Sequence, residues 1–183
     1  MLPIDESRRR AEAAGLNSQF ADLSVFRILL HNPAVARVIG NTITALMFDD
    51  NVLNTRLREL VIMRIGWVTG SEYEWTQHWR VARGLKIPAE DLLAVRDWQN
   101  ATQLAHADKA VLQATDDTLR HGCIQPETWT ECCEHLSSEA ERVELVAAIG
   151  NWSLIAQLLK SLQVPLEDGV ESWPPDGQAG ENP

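Results

Sequence analysis

The sequence predicts an all-α fold for this chain of 183 residues. Runs of β-branched residues that alternate with polar residues and end at turn residues, which would indicate strands, are almost absent. Apolar residues recur instead at helical spacing, as in Leu57, Leu60, Val61, Ile65 and Val68. The hydrophobic content of 45% is enough for an ordinary core, and the length fits one soluble domain.

Proline, glycine and capping residues indicate where successive helices begin and end. The predicted helices cover approximately residues 25–30, 34–48, 56–68, 71–83, 88–99, 108–120, 126–135 and 138–162. Thr55 is a plausible N-cap for the third helix, and Ser138 with Glu141 fits a capping box at the start of the last. Between the second and third helices, a polar turn is formed by Asp49, Asp50, Asn51 and Asn54.

These elements predict three segments: an N-terminal arm (1–20), a helical domain (21–167) and a flexible acidic tail rich in proline and glycine (168–183). A short internal echo relates Arg-Glu-Leu-Val at 58–61 to Val-Glu-Leu-Val at 143–146. The echo suggests two related helical halves, although four common helix residues also match by chance.

The charge of the chain excludes some classes of partner. A net charge of −10 and a pI near 4.9 would repel nucleic acid and anionic membrane surfaces. No apolar run approaches the roughly 18 residues that span a bilayer, so we expect a cytoplasmic protein. The cysteines, Cys123, Cys132 and Cys133, are odd in number and poorly spaced for a disulfide or a zinc site, which favours reduced thiols.

One helical stripe carries candidate chemistry, because Ser71, Glu74, Trp75 and His78 share a face of the predicted helix 71–83. A glutamate and a histidine one turn apart on an apolar face make proton transfer near pH 7 possible. Glu59, in the preceding apolar helix, is expected to approach His78 if the two helices pack antiparallel.

Simpler interpretations stay open for each of these residues. Ser71 with Glu74 also fits a capping box, and His78 could be a satisfied core histidine. Trp75 and Trp79 are core residues by default, with a ligand pocket as the alternative. Shared coordination of a metal by the glutamates and the histidine is chemically conceivable, but we predict neither a metal nor a cofactor.

Several segments together resemble the signature of carboxymuconolactone decarboxylase-like proteins, the superfamily that includes alkylhydroperoxidase D. They are Arg-Leu-Arg-Glu-Leu-Val-Ile-Met-Arg at 56–64, Gly70, Glu-Tyr-Glu-Trp-Thr-Gln-His at 72–78, and Ala-Arg-Gly at 82–84. The later Val-Pro-Leu-Glu-Asp-Gly at 164–169 resembles the end of larger members, so the resemblance covers roughly residues 32–169. It implies an alkylhydroperoxidase D-like multi-helix domain.

The sequence departs from the peroxidase branch of that superfamily. There, a glutamate precedes a C-x-x-C motif by twelve positions and a histidine follows the motif by four, which matches Glu59, Ser71, Glu74 and His78 here. Both thiols are therefore replaced by side chains with oxygen, which cannot form a disulfide. Peroxidase chemistry by the usual route is excluded at this site.

The decarboxylase branch implies acid/base catalysis without redox thiols, metal or cofactor. By this resemblance His78 is the general acid/base, Glu59 its orienting partner or proton relay, and Glu74 the second carboxylate. The expected lining of the substrate pocket is Ser71, Tyr73, Trp75, Trp79 and Met63.

We therefore expect a cofactor-independent lyase or isomerase that acts on a small carboxylated or lactone metabolite. The alternatives are a peroxidase-related antioxidant protein that uses the other cysteines, and a non-catalytic oligomeric binding protein. The resemblance also implies a homo-oligomer, either a trimer or hexamer or a dimer.

Overall fold

The computed structural model describes residues 1–49 and 51–181, and over these residues it contains helices and no strand. The predicted all-α fold is thus confirmed. The α-helices of the described chain are α1 Ile4–Ala13, α2 Ser24–Leu29, α3 Pro33–Met47, α4 Thr55–Thr69, α5 Glu72–Gly84, α6 Ala89–Ala94, α7 His106–His121, α8 Pro126–His135 and α9 Glu139–Ser161. Short 3-10 turns cover Ser18–Phe20 and Val95–Asp97. Asp50 of the predicted polar turn, and Asn182 and Pro183 of the predicted tail, lie outside the described residues.

Local sequence signals position most helix ends. Asn54 caps α4, where its side chain accepts a hydrogen bond from the Arg56 N–H at 2.9 Å, one residue before the predicted cap. The capping box predicted for α9 is present: Ser138 Oγ accepts from the Glu141 N–H at 3.1 Å, and Glu141 Oε2 accepts from the Ser138 N–H at 3.0 Å. The helix predicted over 88–99 is α6 followed by a 3-10 turn.

The segment 1–20, which was predicted as an N-terminal arm, contains helix α1 and the 3-10 turn Ser18–Phe20. Helix α1 buries Ser7 and Ala11, four positions apart on one face, and Ser7 Oγ donates to the Ala21 carbonyl at 2.6 Å. Its mean composition is strongly polar and the two buried side chains are small, so no run of large apolar residues marks this helix in the sequence.

The described chain forms two compact units. The first is Met1–Asn51 with Leu158–Val170, in which Phe20 stacks on Phe26 and Glu167 accepts from the Ser24 N–H at 2.9 Å. The second is Val52–Gln157 with the chain from Glu171 onward. These units are not the two halves suggested by the internal echo, because both echo segments lie in the second unit.

Helix α4 is the central helix of the second unit and packs against α5 and α7. Its residues from Leu57 to Trp67 are all buried, including charged ones. Arg64 is neutralised by Asp116, with bonds of 2.7 and 2.9 Å, and the same carboxylate accepts from Trp98 Nε1 at 3.0 Å. The buried charge is therefore fully paired. No helix in the described part of the chain is long and apolar enough to cross a bilayer.

The C-terminal segment from Glu171, which falls in the tail predicted to be flexible, packs within the second unit. Trp173 is 7% exposed, and its ring centroid lies 6.0 Å from that of Trp75 and 6.3 Å from that of Trp67. The Pro174 carbonyl accepts from Trp75 Nε1 at 2.8 Å, and Asp176 accepts two hydrogen bonds from the Arg96 guanidinium, at 2.7 and 3.0 Å. One tryptophan anchors a segment whose overall composition is typical of solvated chain.

Candidate active site

A tight turn brings the two helices of the candidate site together. Gly70 ends α4 in the left-handed conformation at φ 64°, which glycine adopts without strain. A Cβ on Gly66 would lie only 3.1 Å from the backbone nitrogen of Trp75, so the absence of a side chain permits this close approach of α4 and α5. The sequence of the turn thus sets the distance between the helices that carry Glu59 and His78.

Glu59 and His78 form the centre of the site. Glu59 is completely buried, and its Oε2 lies 2.8 Å from Nδ1 of His78. Its other oxygen, Oε1, accepts hydrogen bonds from Nε and Nη2 of Arg58 at 3.1 and 2.9 Å. The approach of Glu59 to His78 that the sequence predicts is present in the structure.

Glu59 is held as a carboxylate by these neighbours. Burial alone would raise the pKa of Glu59, but the interactions with His78 and Arg58 outweigh it and leave the pKa below its ordinary value. A permanent carboxylate beside Nδ1 orients the imidazole and stabilises it when it gains a proton.

Trp152, on α9, contacts the opposite nitrogen of His78. Its Nε1 lies 3.0 Å from His78 Nε2, and the two rings meet edge to face at 85°. An indole nitrogen can only donate a hydrogen bond, so Nε2 must accept and carries no proton. The remaining proton then lies on Nδ1, which donates to Glu59. The contacts define a neutral imidazole in the Nδ1–H form.

Glu74 and Ser71 are buried without a hydrogen-bond partner for their side-chain oxygens among the described residues. They are 2% and 1% exposed, and the capping box that their spacing allows is not formed. Burial raises the pKa of Glu74 well above its ordinary value, which favours the neutral carboxylic acid over the carboxylate. Helix capping therefore does not explain these two residues.

The residues predicted to line a pocket are buried. Met63, Trp75 and Trp79 belong to a hydrophobic cluster of the second unit together with Leu60, Trp67, Ala82, Ile87, Leu92, Val95, Trp98, Leu104, Leu112 and Trp173. Tyr73 is buried as well, at 7% exposure. Their contribution to a substrate pocket stays a prediction, since each has a clear packing role.

Other candidate groups lie on α7 and α8. Glu131, Glu134 and His135 are exposed and offer three ligand atoms within 4.8 Å of one another, and in the described part of the chain this is the group that could hold a metal ion. A cavity of about 290 Å³ between α7 and α8 is lined by Trp98, His106, Lys109, Ala110, Gln113, Glu127, Thr128 and Glu131. Neither feature includes a residue of the Glu59–His78 pair.

Sequence reasoning missed Trp152. The apolar pattern of α9 identifies it only as a core residue, and it is 1% exposed. Its indole donor could have been assigned to His78 only from the packing of α9 against α5.

The fold and the site define an all-helical protein with a buried carboxylate–imidazole pair and no C-x-x-C motif. The sequence model of the carboxymuconolactone decarboxylase family matches residues 33–117. An uncharacterized peroxidase-related protein from Silicibacter sp. TM1040 is similar in structure, with a TM-score of 0.75, 14% identity and coverage of 92% of this chain and 91% of its own.

Two further solved structures share the fold. An alkylhydroperoxidase D core protein from Ralstonia eutropha JMP134 gives a TM-score of 0.72 at 19% identity, covering 91% of this chain and 87% of its own. The debrominase Bmp8, in complex with 2,3,4-tribromopyrrole, gives a TM-score of 0.68 at 16% identity, and the match covers 90% of this chain and 86% of the debrominase chain. No curated protein matches the chain in sequence. The match over residues 33–117 and the shared fold support the resemblance to the carboxymuconolactone decarboxylase and alkylhydroperoxidase D-like superfamily.

Proposed function

We propose that the protein is a cofactor-independent lyase or isomerase that moves protons on a small carboxylated or lactone metabolite. The observation that carries the proposal is the hydrogen bond between Glu59 and His78, with Glu74, whose pKa is raised by burial, one helical turn from the histidine. A base with an ionised orienting partner and a separate neutral acid are the groups that proton transfer next to a carbonyl requires.

In the proposed reaction His78 accepts a proton through Nε2. The proton leaves a carbon next to a carbonyl or carboxylate, and the electron pair stays on the substrate as an enolate. Glu59 stabilises the imidazolium that forms. Where a C=C bond is conjugated with the enolate, the electron pair reaches the γ-carbon, and Glu74 donates a proton there and is then reprotonated by His78. The outcome is isomerisation.

Decarboxylation uses the same groups in a different order. The bond between carbon and carboxylate breaks, CO2 leaves, and the electron pair remains on the substrate as a carbanion or enolate. A proton from Glu74 takes the place of CO2. Solvent then returns that proton to the protein.

The cysteine-based alternative has less support. Burial, with the nearby Cys133, Asp117 and Glu131, raises the pKa of Cys132 to about 11, which disfavours the reactive thiolate. Cys123 and Cys133 are free and exposed. If they served as peroxidatic thiols, hydroperoxide turnover would be abolished in Cys123→Ser or Cys133→Ser. We expect no such turnover.

The test is CO2 release and incorporation of solvent deuterium across a panel of lactone carboxylates and β-keto acids. We expect turnover by the wild type to fall at least about 100-fold in His78→Ala and in Glu59→Gln. His31→Ala, at an exposed histidine of the first unit, is the matched control and should retain activity. Turnover that survives in His78→Ala would contradict the assignment, and ligand binding without any turnover would favour the non-catalytic alternative.

A further inference from the structure

Both ring nitrogens of His78 are occupied in this structure. Nδ1 faces Glu59 Oε2 at 2.8 Å, and Nε2 accepts from Trp152 Nε1 at 3.0 Å. The only lone pair of the neutral ring that could take a proton is therefore engaged by the indole. The histidine side chain is 12% exposed, so solvent also has little access to it.

We propose that Trp152 is a positioning residue that masks Nε2 of His78 in the resting protein, and that a substrate reaches this nitrogen only after displacing the indole hydrogen bond. The requirement that a substrate displace the indole rests on the proposed function, whereas the masking of Nε2 by Trp152 does not. Because Trp152 belongs to α9 and His78 to α5, the relative packing of these two helices controls access to the base.

The geometry favours this role over simple packing. Trp152 is 1% exposed, and a buried indole N–H needs an acceptor. The N–H is directed to the free ring nitrogen of the histidine in the Glu59–His78 pair. A substrate that moves the indole must also offer its N–H a new acceptor, such as a carboxylate or carbonyl oxygen, since a buried donor without a partner is costly.

The masking is testable without any substrate. Diethyl pyrocarbonate reacts with the lone pair of a neutral imidazole nitrogen, and peptide mass spectrometry measures the rate at each histidine. The rate at His78 is compared with that at the exposed His31 in the same sample. The variants are Trp152→Phe and a protein with benzothienylalanine at position 152, in which sulfur replaces the indole N–H at nearly constant shape. Circular dichroism verifies that each variant is folded.

We expect the rate at His78, relative to His31, to rise about tenfold in both variants of position 152, because each loses the hydrogen bond. Trp129→Phe, at a tryptophan that is 38% exposed on α8, is the matched control and should leave the ratio unchanged. An increase in Trp152→Phe alone would mean that the indole acts by bulk, which overturns the inference. An unchanged rate in both variants would overturn it as well.

The two proposals can fail separately. If His78 becomes reactive in the benzothienylalanine protein but no compound of the panel is turned over, the masking stands and the proposed reaction does not. If turnover depends on His78 but diethyl pyrocarbonate modifies His78 at the same rate in the wild type and in both variants of position 152, the proposed reaction stands and the masking is wrong.

Discussion

At the scale of single residues, the two oxygens of the Glu59 carboxylate serve different partners. Oε1 accepts from Arg58 and Oε2 faces His78, so a buried anion, a cation and an imidazole depend on one another. Removing one partner of such a buried group is costly, because the other charge keeps its desolvation penalty.

Glu59→Gln should lower the free energy of unfolding by about 3 kcal/mol at pH 7. The folded-state pKa of Glu59 is depressed, so its stabilisation is present above the ordinary value of 4.5 and is lost as the pH falls through the lower folded value. Urea unfolding of the wild type and Glu59→Gln between pH 3 and pH 7 measures the difference in the free energy of unfolding and its pH dependence. Glu131→Gln, at a side chain that is 62% exposed, is the control and should change little. A difference independent of pH would contradict the ionised state of Glu59.

For Glu74 we expect the opposite pH dependence of the free energy of unfolding. Its folded-state pKa is raised, so the unfolded chain releases this proton above about pH 4.5 while the folded protein retains it. The contribution of Glu74 to the free energy of unfolding is largest below that pH. As the pH rises further, this contribution falls by up to about 1.4 kcal/mol per pH unit until the folded-state pKa is reached. Glu74→Gln removes this slope.

Chemical denaturation of wild type and Glu74→Gln from pH 5 to pH 8 measures the slope. Glu90→Gln, at an exposed glutamate on α6, keeps the pH dependence of the wild type and serves as the control. Equal slopes in wild type and Glu74→Gln would show that Glu74 is ionised in the folded protein and cannot supply the proton in the proposed reaction.

At the scale of elements, the C-terminal segment depends on one aromatic contact. Trp173 packs with Trp67 and Trp75, and the neighbouring Pro174 accepts from the Trp75 indole. Trp173→Ala should therefore lower the free energy of unfolding by about 3–5 kcal/mol. Trp129→Ala, at an exposed tryptophan, should cost less than about 1 kcal/mol. Urea unfolding compares the two, and equal losses would mean that the segment is not docked.

Helix α4 shows why some elements are easier to predict than others. Its apolar residues repeat at helical spacing, and the residues that cap and end it are local in sequence. Helix α1 is strongly polar and buries small residues such as Ser7 and Ala11 among charged neighbours, so it lacks the large apolar residues that mark α4. The docking of Trp173 depends on a partner about 100 positions away, which no local pattern reports.

At the scale of the whole molecule, α9 presents an apolar face to solvent. Val143, Val146 and Leu154 are 69%, 48% and 45% exposed, and their spacing places them on one side of the helix. Apolar patches of this kind are typical of protein–protein contacts. We propose that copies of the chain associate through this face.

Light scattering should give a mass that is a multiple of 20.5 kDa, as a dimer, trimer or hexamer. Val143→Glu with Val146→Glu should reduce the mass to that of the monomer, because charges would be buried in the interface. Leu85→Glu, at another exposed apolar residue, serves as the control. A wild-type monomer at micromolar concentration would contradict the proposal.

The sequence alone determined the helical class, most helix ends, the resemblance to the superfamily and the identities of Glu59, Ser71, Glu74 and His78. These features follow from periodicity, capping residues and motif spacing, which all depend on residues that are close together in the sequence. A missing capping box at Ser71 and Glu74 could not be predicted, since the pattern of residues is compatible with both outcomes.

Only the tertiary structure decided how the site is completed. The indole of Trp152 meets Nε2 of His78 from a helix more than 70 positions away, and this contact defines the protonated nitrogen of the ring. Local sequence specifies which groups are available and on which face of a helix they lie. The partner of each buried polar group depends on the packing of helices that are distant in sequence. These partners decide the hydrogen bonds, and therefore the chemical properties, of the site residues.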